Sequence, residues 1–377
     1  MPRELTIDGK QISDASDCWV IAEIGHNHQG SLERCFELFR LAKECGADAV
    51  KLQKRDNRAL YTRAAYDAPY ASESAFGATY GEHRNALEFG LAEYRELMAY
   101  ARELGISCFA TAFDFASADF LAKLGVPAFK IASGDLTNTP LLRHVASLGK
   151  PMLVSTGGAT IEDVDRAYEA IAPYHRQICL LQATAGYPPT WEELNLRVIE
   201  TYRERYPDVV IGLSAHDSGI AMALVGYVLG ARIVEKHVTL NRALKGTDHA
   251  FSLERSGLQK LVRDLRRARV SLGDGVKQRY PSEEAPLRKM GKKLVAARDL
   301  PEGHVLGAAD VAIKSPGDGL APHHLDEILG QVTVRPLAAD ESIAFADVVV
   351  RAPRKRAAAV GTAAALLAAL PFEMLLP

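Results

Sequence analysis

The sequence has no excess of charge of either sign. Its 45 Lys and Arg stand against 47 Asp and Glu, a formal net charge of −2. A chain this balanced has no overall electrostatic draw toward nucleic acid, and only a local anion site stays open. The five cysteines, at 18, 35, 45, 108 and 179, are odd in number and include no Cys-x-x-Cys pair. That argues against a disulfide framework or a structural zinc site and for a reducing, cytoplasmic setting. The opening MPRELTIDGKQISDAS lacks an apolar core, so no signal peptide is expected. Long apolar runs are also missing. The longest uncharged stretch of note, 357–370, is short of the ~20 residues a membrane span needs, and Pro371 and Glu373 follow it. A docked or frayed helix is the expectation there, and no membrane partner.

What is present is alternation. At 48% hydrophobic and 24% charged residues, the chain can bury a sizeable core. From about residue 18 to 275, short apolar runs alternate with amphipathic segments. The strand candidates are 18–25, 49–55, 107–113, 128–134, 151–157, 178–184, 209–216 and 232–240. Eight β/α pairs over about 250 residues fit a (β/α)8 TIM barrel. An open doubly wound sheet is the competing fold, but no Gly-x-Gly-x-x-Gly follows the first strand. Polar residues also collect at the C-terminal ends of all eight candidates, where barrel enzymes place their chemistry.

The expected organisation is a barrel over residues 1–275, a polar linker at 276–291, a small β-rich domain at 292–350 and an Ala/Leu-rich tail at 351–377. The insertion at about 56–91 is expected to lie over the barrel mouth as a lid, since loops of this length are uncommon and often functional.

The strand ends supply the candidate site. Lys51 and Lys130 are embedded in apolar strands, where an unpaired lysine is costly. Either they bind an anion, helped by Ser133, Ser155 and Ser214, or they pair with Glu23 and Glu235 inside the barrel. Glu23 and Asp135 are candidate acid/base groups. His216 and His237 end adjacent strands, and two converging imidazoles suit a divalent first-row metal with open positions. A pair of merely hydrogen-bonded histidines is the alternative. His26 and His28, in an HNH triplet, read as an exposed polar loop. Thr111, Gln53, Tyr187 and Asp248 complete the polar set.

The motifs IAEIGHNHQGSLE (21–33), VKLQ (50–53), TYGEHR (79–84), FKIASGDLTNTPLL (129–142), LVSTGG (153–158), ATAGYPP (183–189), IGLSAHD (211–217), EKHVTL (235–240) and KGTDHAFSLE (245–254) span the barrel in order. In these motifs the chain resembles the sialic acid synthase family. PEGHVLGAADV (301–311) and IKSPGDG (313–319) resemble the antifreeze-like SAF domain those enzymes carry.

The resemblance implies a transferase that condenses phosphoenolpyruvate with N-acetylmannosamine or its 6-phosphate. It implies phosphoenolpyruvate on Lys51, Thr111, Lys130, Ser133, Ser155 and Ser214, and the sugar on Gln53, Tyr187 and Asp248. It places a divalent metal on His216 and His237, Mn2+ first, with Mg2+ or Co2+ as alternatives. It further implies a domain-exchanged homodimer. Related syntheses of legionaminic or pseudaminic acid share the pattern, and a non-catalytic carbohydrate- or protein-binding barrel is the reading from another class. TYGEHR and KGTDHAFSLE look most like the animal-type enzymes, which use the 6-phosphate. Three positions depart from the bacterial pattern: Asp135 stands for Glu, Ala185 for Asn, and Ser315 for an Arg that reaches a partner's site.

Overall fold

The computed structural model describes residues 2–349, so the tail and its expected helix lie outside the described residues. The chain divides into two units, Met1–Asp274 and Gly275–Pro377.

The first unit opens with an antiparallel hairpin, β1 (Glu4–Ile7) and β2 (Lys10–Ser13). Sequence reading did not anticipate it, although Asp8-Gly9 is its signal. Both residues have positive φ, 52° and 75°, as a two-residue turn matched to strand twist requires. Leu5, Ile7 and Ile12 are buried in the barrel core. Arg3 Nε donates to Val209 O, Thr6 N donates to Gln177 Oε1, and Ser107 Oγ donates to Asp8 Oδ2. Those partners stand at the N-terminal ends of barrel strands. The hairpin therefore closes the end of the barrel opposite its chemistry.

Eight strands form the closed barrel: β3 (Trp19–Glu23), β4 (Ala49–Lys54), β5 (Ser107–Ala112), β6 (Phe129–Ile131), β7 (Met152–Ser155), β8 (Ile178–Ala183), β9 (Val210–Ala215) and β10 (Ile233–His237). Neighbours pair in parallel, and β10 closes on β3 with His237 beside Glu23. Parallel strands are covered on both faces, which is why they read as unbroken apolar runs.

The surrounding helices form where caps and spacing dictate. Ser31 caps Leu32–Glu44 by accepting from Arg34 N, and Cys35, Leu38, Phe39 and Ala42 bury one face. Thr160 and Asp163 form a reciprocal capping box on Ile161–Ile171, which buries Val164, Ala167 and Ile171. Each buried Leu or Phe side chain contributes about 1.5–3 kcal/mol.

The 56–91 insertion is not structureless. It holds three short helices, Asn57–Leu60, Arg63–Asp67 and Tyr80–Asn85, capped by Asp56, Thr62 and Thr79.

In the second unit, the stretch expected to be a linker contains a short helix, Glu284–Met290, with no buried residue. Glu284 opens it and Arg288 and Lys289 close it, in accord with the helix dipole. Beyond it, β11 (Lys293–Ala296) pairs with β12 (Val311–Lys314) and β13 (Val332–Thr333) with β14 (Val348–Val349), all antiparallel. Leu294, Leu300, Leu306, Ile328, Leu337 and Ile343 form its small core. Ser315 accepts from Lys292 Nζ at 2.6 Å, and Lys314 pairs with Asp340.

Candidate active site at the barrel mouth

A cavity of about 430 Å³ opens at the C-terminal ends of the strands. Glu23, Lys51, Gln53, Thr111, Lys130, Ser133, Ser155, Tyr187, Ser214, His216, His237 and Asp248 all line it. Asp135 does not. It sits in a single 3-10 turn, where its Oδ1 accepts from Asn138 Nδ2 at 3.3 Å. The cavity also takes in His26, Arg55, Arg84, Phe113, Glu235 and Thr247.

Strand alternation aims the floor groups inward. Lys51 Nζ lies 2.6 Å from Glu23 Oε2, donates to Thr111 Oγ1 at 2.8 Å, and is 3.7 Å from Glu235 Oε1. Lys130 Nζ donates to Ser155 Oγ at 2.6 Å and lies 3.9 Å from the same Glu235 oxygen. Ser214 Oγ donates to Glu235 Oε1 at 3.2 Å. Both readings of the lysines therefore meet here: they pair with the two carboxylates and they face the cavity. All four charged groups are buried. Burial pushes the Glu23 carboxyl up to about 7 despite the pull of Lys51, and lowers Lys130 to about 8. Gln53 Nε2 donates to the other Glu23 oxygen at 2.8 Å.

Ser133 Oγ accepts from Gly157 N at 3.0 Å. A Cβ on Gly157 would stand 2.9 Å from that oxygen and 3.1 Å from Ala185 N, so glycine allows this close packing.

The imidazoles of His216 and His237 have ring centroids 5.6 Å apart. The Thr184 carbonyl lies 2.9 Å from His216 Nδ1 and can only accept, so Nδ1 carries the proton and Nε2 the lone pair. Burial, and then the neighbouring His237, lower His216 to about 4; burial lowers His237 too. Both rings are thus neutral at pH 7. His237 Nδ1 and Glu235 Oε2 are buried without a hydrogen-bond partner among the described residues. Asp248 Oδ2 is 3.7 Å from His237 Nδ1. Two neutral imidazoles and an orphaned ring nitrogen fit a borderline divalent ion. Among the described residues, no group of three or more His, Cys, Asp or Glu is arranged to hold one, so the protein would supply two ligands. On the opposite face of β10, buried Lys236 donates to Asp217 Oδ1 at 3.0 Å and anchors the chain just after His216.

The HNH triplet is not an exposed loop. Asn27 is buried and its Nδ2 donates to Val238 O and Ser252 Oγ; His28 stacks on Phe89 with centroids 4.3 Å apart. These partners are distant in sequence, which hid the packing. His26 lies in the cavity wall between Arg55 and Arg84. Arg55 continues the alternation of Lys51 and Gln53 onto the cavity face.

A closed barrel with paired buried charges and two neutral imidazoles at its C-terminal mouth defines an enzyme for anionic, oxygen-rich substrates. Comparison with known proteins makes this specific. The NeuB family model matches residues 38–277, and the SAF domain model matches 293–349. The chain belongs to the NeuB family, and is an enzyme of sialic acid synthase type, a transferase. It is 39% identical over 345 residues to N-acetylneuraminate-9-phosphate synthase of Homo sapiens, covering 91% of this chain and 96% of that one. It is 35% identical to N,N'-diacetyllegionaminic acid synthase of Legionella pneumophila, covering 83% of this chain and 89% of that one. Among solved structures, N-acetylneuraminic acid synthetase from Leptospira borgpetersenii matches with a TM-score of 0.64 and 31% identity, over 76% of this chain and 95% of that chain.

Proposed function

We propose that the enzyme condenses phosphoenolpyruvate with the open-chain aldehyde of N-acetylmannosamine 6-phosphate, giving N-acetylneuraminate 9-phosphate and inorganic phosphate. The buried quartet of Lys51, Lys130, Glu23 and Glu235 beneath the cavity carries this reading. The similarity to the human 9-phosphate synthase supports the phosphorylated acceptor.

Lys51 and Lys130 hold the enol phosphate anion as point charges, with Thr111, Ser155 and Ser133 as hydroxyl partners. Gln53, Tyr187 and Asp248 orient the sugar. A divalent ion, Mn2+ first and Mg2+ or Co2+ next, held by His216 and His237, would supply Lewis-acid polarisation of the aldehyde oxygen. The C2–C3 π electrons of the enol form the new bond to the aldehyde carbon, and positive charge develops at C2. Glu23 and Glu235 face that charge in a buried setting, where fixed carboxylates act more strongly than in water. Water adds to C2 and gives one proton to Glu23. The alkoxide formed from the aldehyde oxygen takes up that proton to become a hydroxyl, the C2–O bond to phosphate breaks, the second water proton leaves on the phosphate, and a 2-keto acid remains. A carboxyl raised by burial to about 7 is suited to this exchange at neutral pH.

The resemblance also carries a homodimer in which the small domain reaches a partner's barrel, with Ser315 where an arginine would act. Five free, buried cysteines support a reducing compartment. Among the described residues, no helix is long and apolar enough to cross a membrane.

The test is phosphate release from phosphoenolpyruvate with Mn2+ and either N-acetylmannosamine or its 6-phosphate, each with an EDTA control. Chelator-sensitive release with the 6-phosphate is expected. Release with neither sugar would move the assignment to a differently substituted hexose, such as the legionaminic acid precursor.

A further inference from the structure

The cavity has cations at two depths, and the rim tier is the less well matched by acids: Arg55 shares one carboxylate with Lys54. Lys51, Gln53 and Arg55 alternate onto one face of β4 and its continuation. At ~3.3 Å per residue, Arg55 stands about 13 Å above Lys51 along the strand. At the floor, Lys51 and Lys130 meet Glu23 and Glu235. At the rim, Arg84 makes no ion pair among the described residues. Its Nε and Nη2 donate to Tyr80 Oη at 2.9 and 2.7 Å, and its Nη1 is 3.2 Å from His26 Nδ1. Arg55 Nη1 is 2.9 Å from His26 Nε2, and its Nη2 donates to Gln53 Oε1 at 2.6 Å. The nearest acid to the Arg55 guanidinium, Glu88, is 3.7 Å away; it also accepts from the Arg55 backbone N at 3.2 Å and is shared with Lys54 at 3.1 Å.

His26 is thus flanked by a guanidinium on each ring nitrogen. Burial and both guanidinium groups hold it well below the usual imidazole range, so it is neutral. A neutral imidazole has one lone pair. One of the two guanidinium groups therefore faces an N–H and has no acceptor there. The rim has donors to spare and faces the same cavity as the floor. Guanidinium groups in this state match a phosphomonoester, which offers several acceptor oxygens and about two negative charges.

We infer that Arg84 and Arg55, on either side of His26, form the seat for the acceptor's phosphate group. This rests on the reading that the acceptor is a phosphorylated aldose. A hexose 6-phosphate carries its phosphate at the opposite end of the open chain from its aldehyde. The aldehyde then lies toward the floor, where the enol is held, and the phosphate reaches the rim. Arg84 belongs to the insertion after β4, which gives that segment a specificity role.

The experiment compares kcat/KM for N-acetylmannosamine 6-phosphate and N-acetylmannosamine in the full-length enzyme, in Arg84→Gln, in Arg84→Lys and in Arg55→Lys. The readout is the ratio of the two values, so a general loss of activity cancels. Arg84→Gln should reduce the preference for the phosphorylated sugar ~10- to 100-fold, the range for losing a hydrogen bond to a charged group. The loss should appear in KM for that sugar, and Arg84→Lys should fall between. Arg84 is half-buried at the rim, and a thermal melt checks that each variant folds. An unchanged ratio in Arg84→Gln, with the wild type still preferring the 6-phosphate, overturns the seat. A wild type that prefers the unphosphorylated sugar overturns the acceptor assignment, and the seat with it.

Discussion

Lys51 Nζ lies 2.6 Å from Glu23 Oε2 at the barrel floor, with both side chains buried. The pair joins β4 to β3, and neither charge would be tolerated there alone. In the proposed reaction the lysine holds anionic substrate while the carboxylate handles the proton of the added water. Glu23→Gln keeps the shape and one hydrogen bond but removes the base. A loss of ~10²- to 10⁴-fold in kcat is expected, with native circular dichroism. A variant within a few-fold of wild type would remove Glu23 from the mechanism.

The same groups set the pH response. With Glu23 raised to about 7, falling pH adds a proton to the base, and kcat/KM drops on the acid side. With Lys130 lowered to about 8, rising pH removes a cation and weakens phosphoenolpyruvate binding. A bell-shaped kcat/KM profile follows, with its maximum between these limbs. For stability, the unfolded Glu23 carboxyl releases its proton near ~4.3. The folded one holds its proton to about 7. This group's contribution therefore favours the fold at low pH and is lost as pH rises through about 7. Urea titrations from pH 4 to 8 on wild type and Glu23→Gln isolate that slope. Equal slopes would mean that Glu23 titrates normally.

Metal binding should depend on both histidines. His237→Asn or His216→Asn is expected to weaken Mn2+ binding by at least ~10-fold, read by calorimetry or electron paramagnetic resonance without substrate. Unaltered stoichiometric binding in both variants would place the ion elsewhere.

The N-terminal hairpin offers a test remote from the chemistry. Gly9 has φ of 75° and open space around its missing side chain, so Gly9→Ala adds backbone strain and no clash. A loss of ~1–2 kcal/mol is expected, with kcat unaltered. An unchanged melting midpoint would show that the turn relaxes freely.

The barrel was legible because parallel strands must be apolar on both faces, so each polar residue at a strand end stood out. Lys51, Lys130, His216 and His237 were found that way, and all line the cavity. What escaped depends on partners far along the chain. Asn27 meets the Val238 carbonyl, and no local pattern announces that. Asp135 carries the right chemistry in a motif, but its turn leaves it on Asn138 and out of the wall. Arg55 was legible in principle: it falls inside the 49–55 strand candidate and keeps the inward period of Lys51 and Gln53, although β4 itself ends at Lys54. Asp8-Gly9 was readable and shows that a two-residue turn signal outweighs a polar surrounding.

The mechanism turns on addition at C2 with loss of phosphate through the carbon–oxygen bond. Phosphoenolpyruvate labelled with 18O at the bridging oxygen, turned over with the phosphorylated acceptor, tests it directly. The label is expected in the released phosphate, with the keto oxygen drawn from water. Label retained in the sugar acid would mean cleavage at phosphorus and would contradict the mechanism.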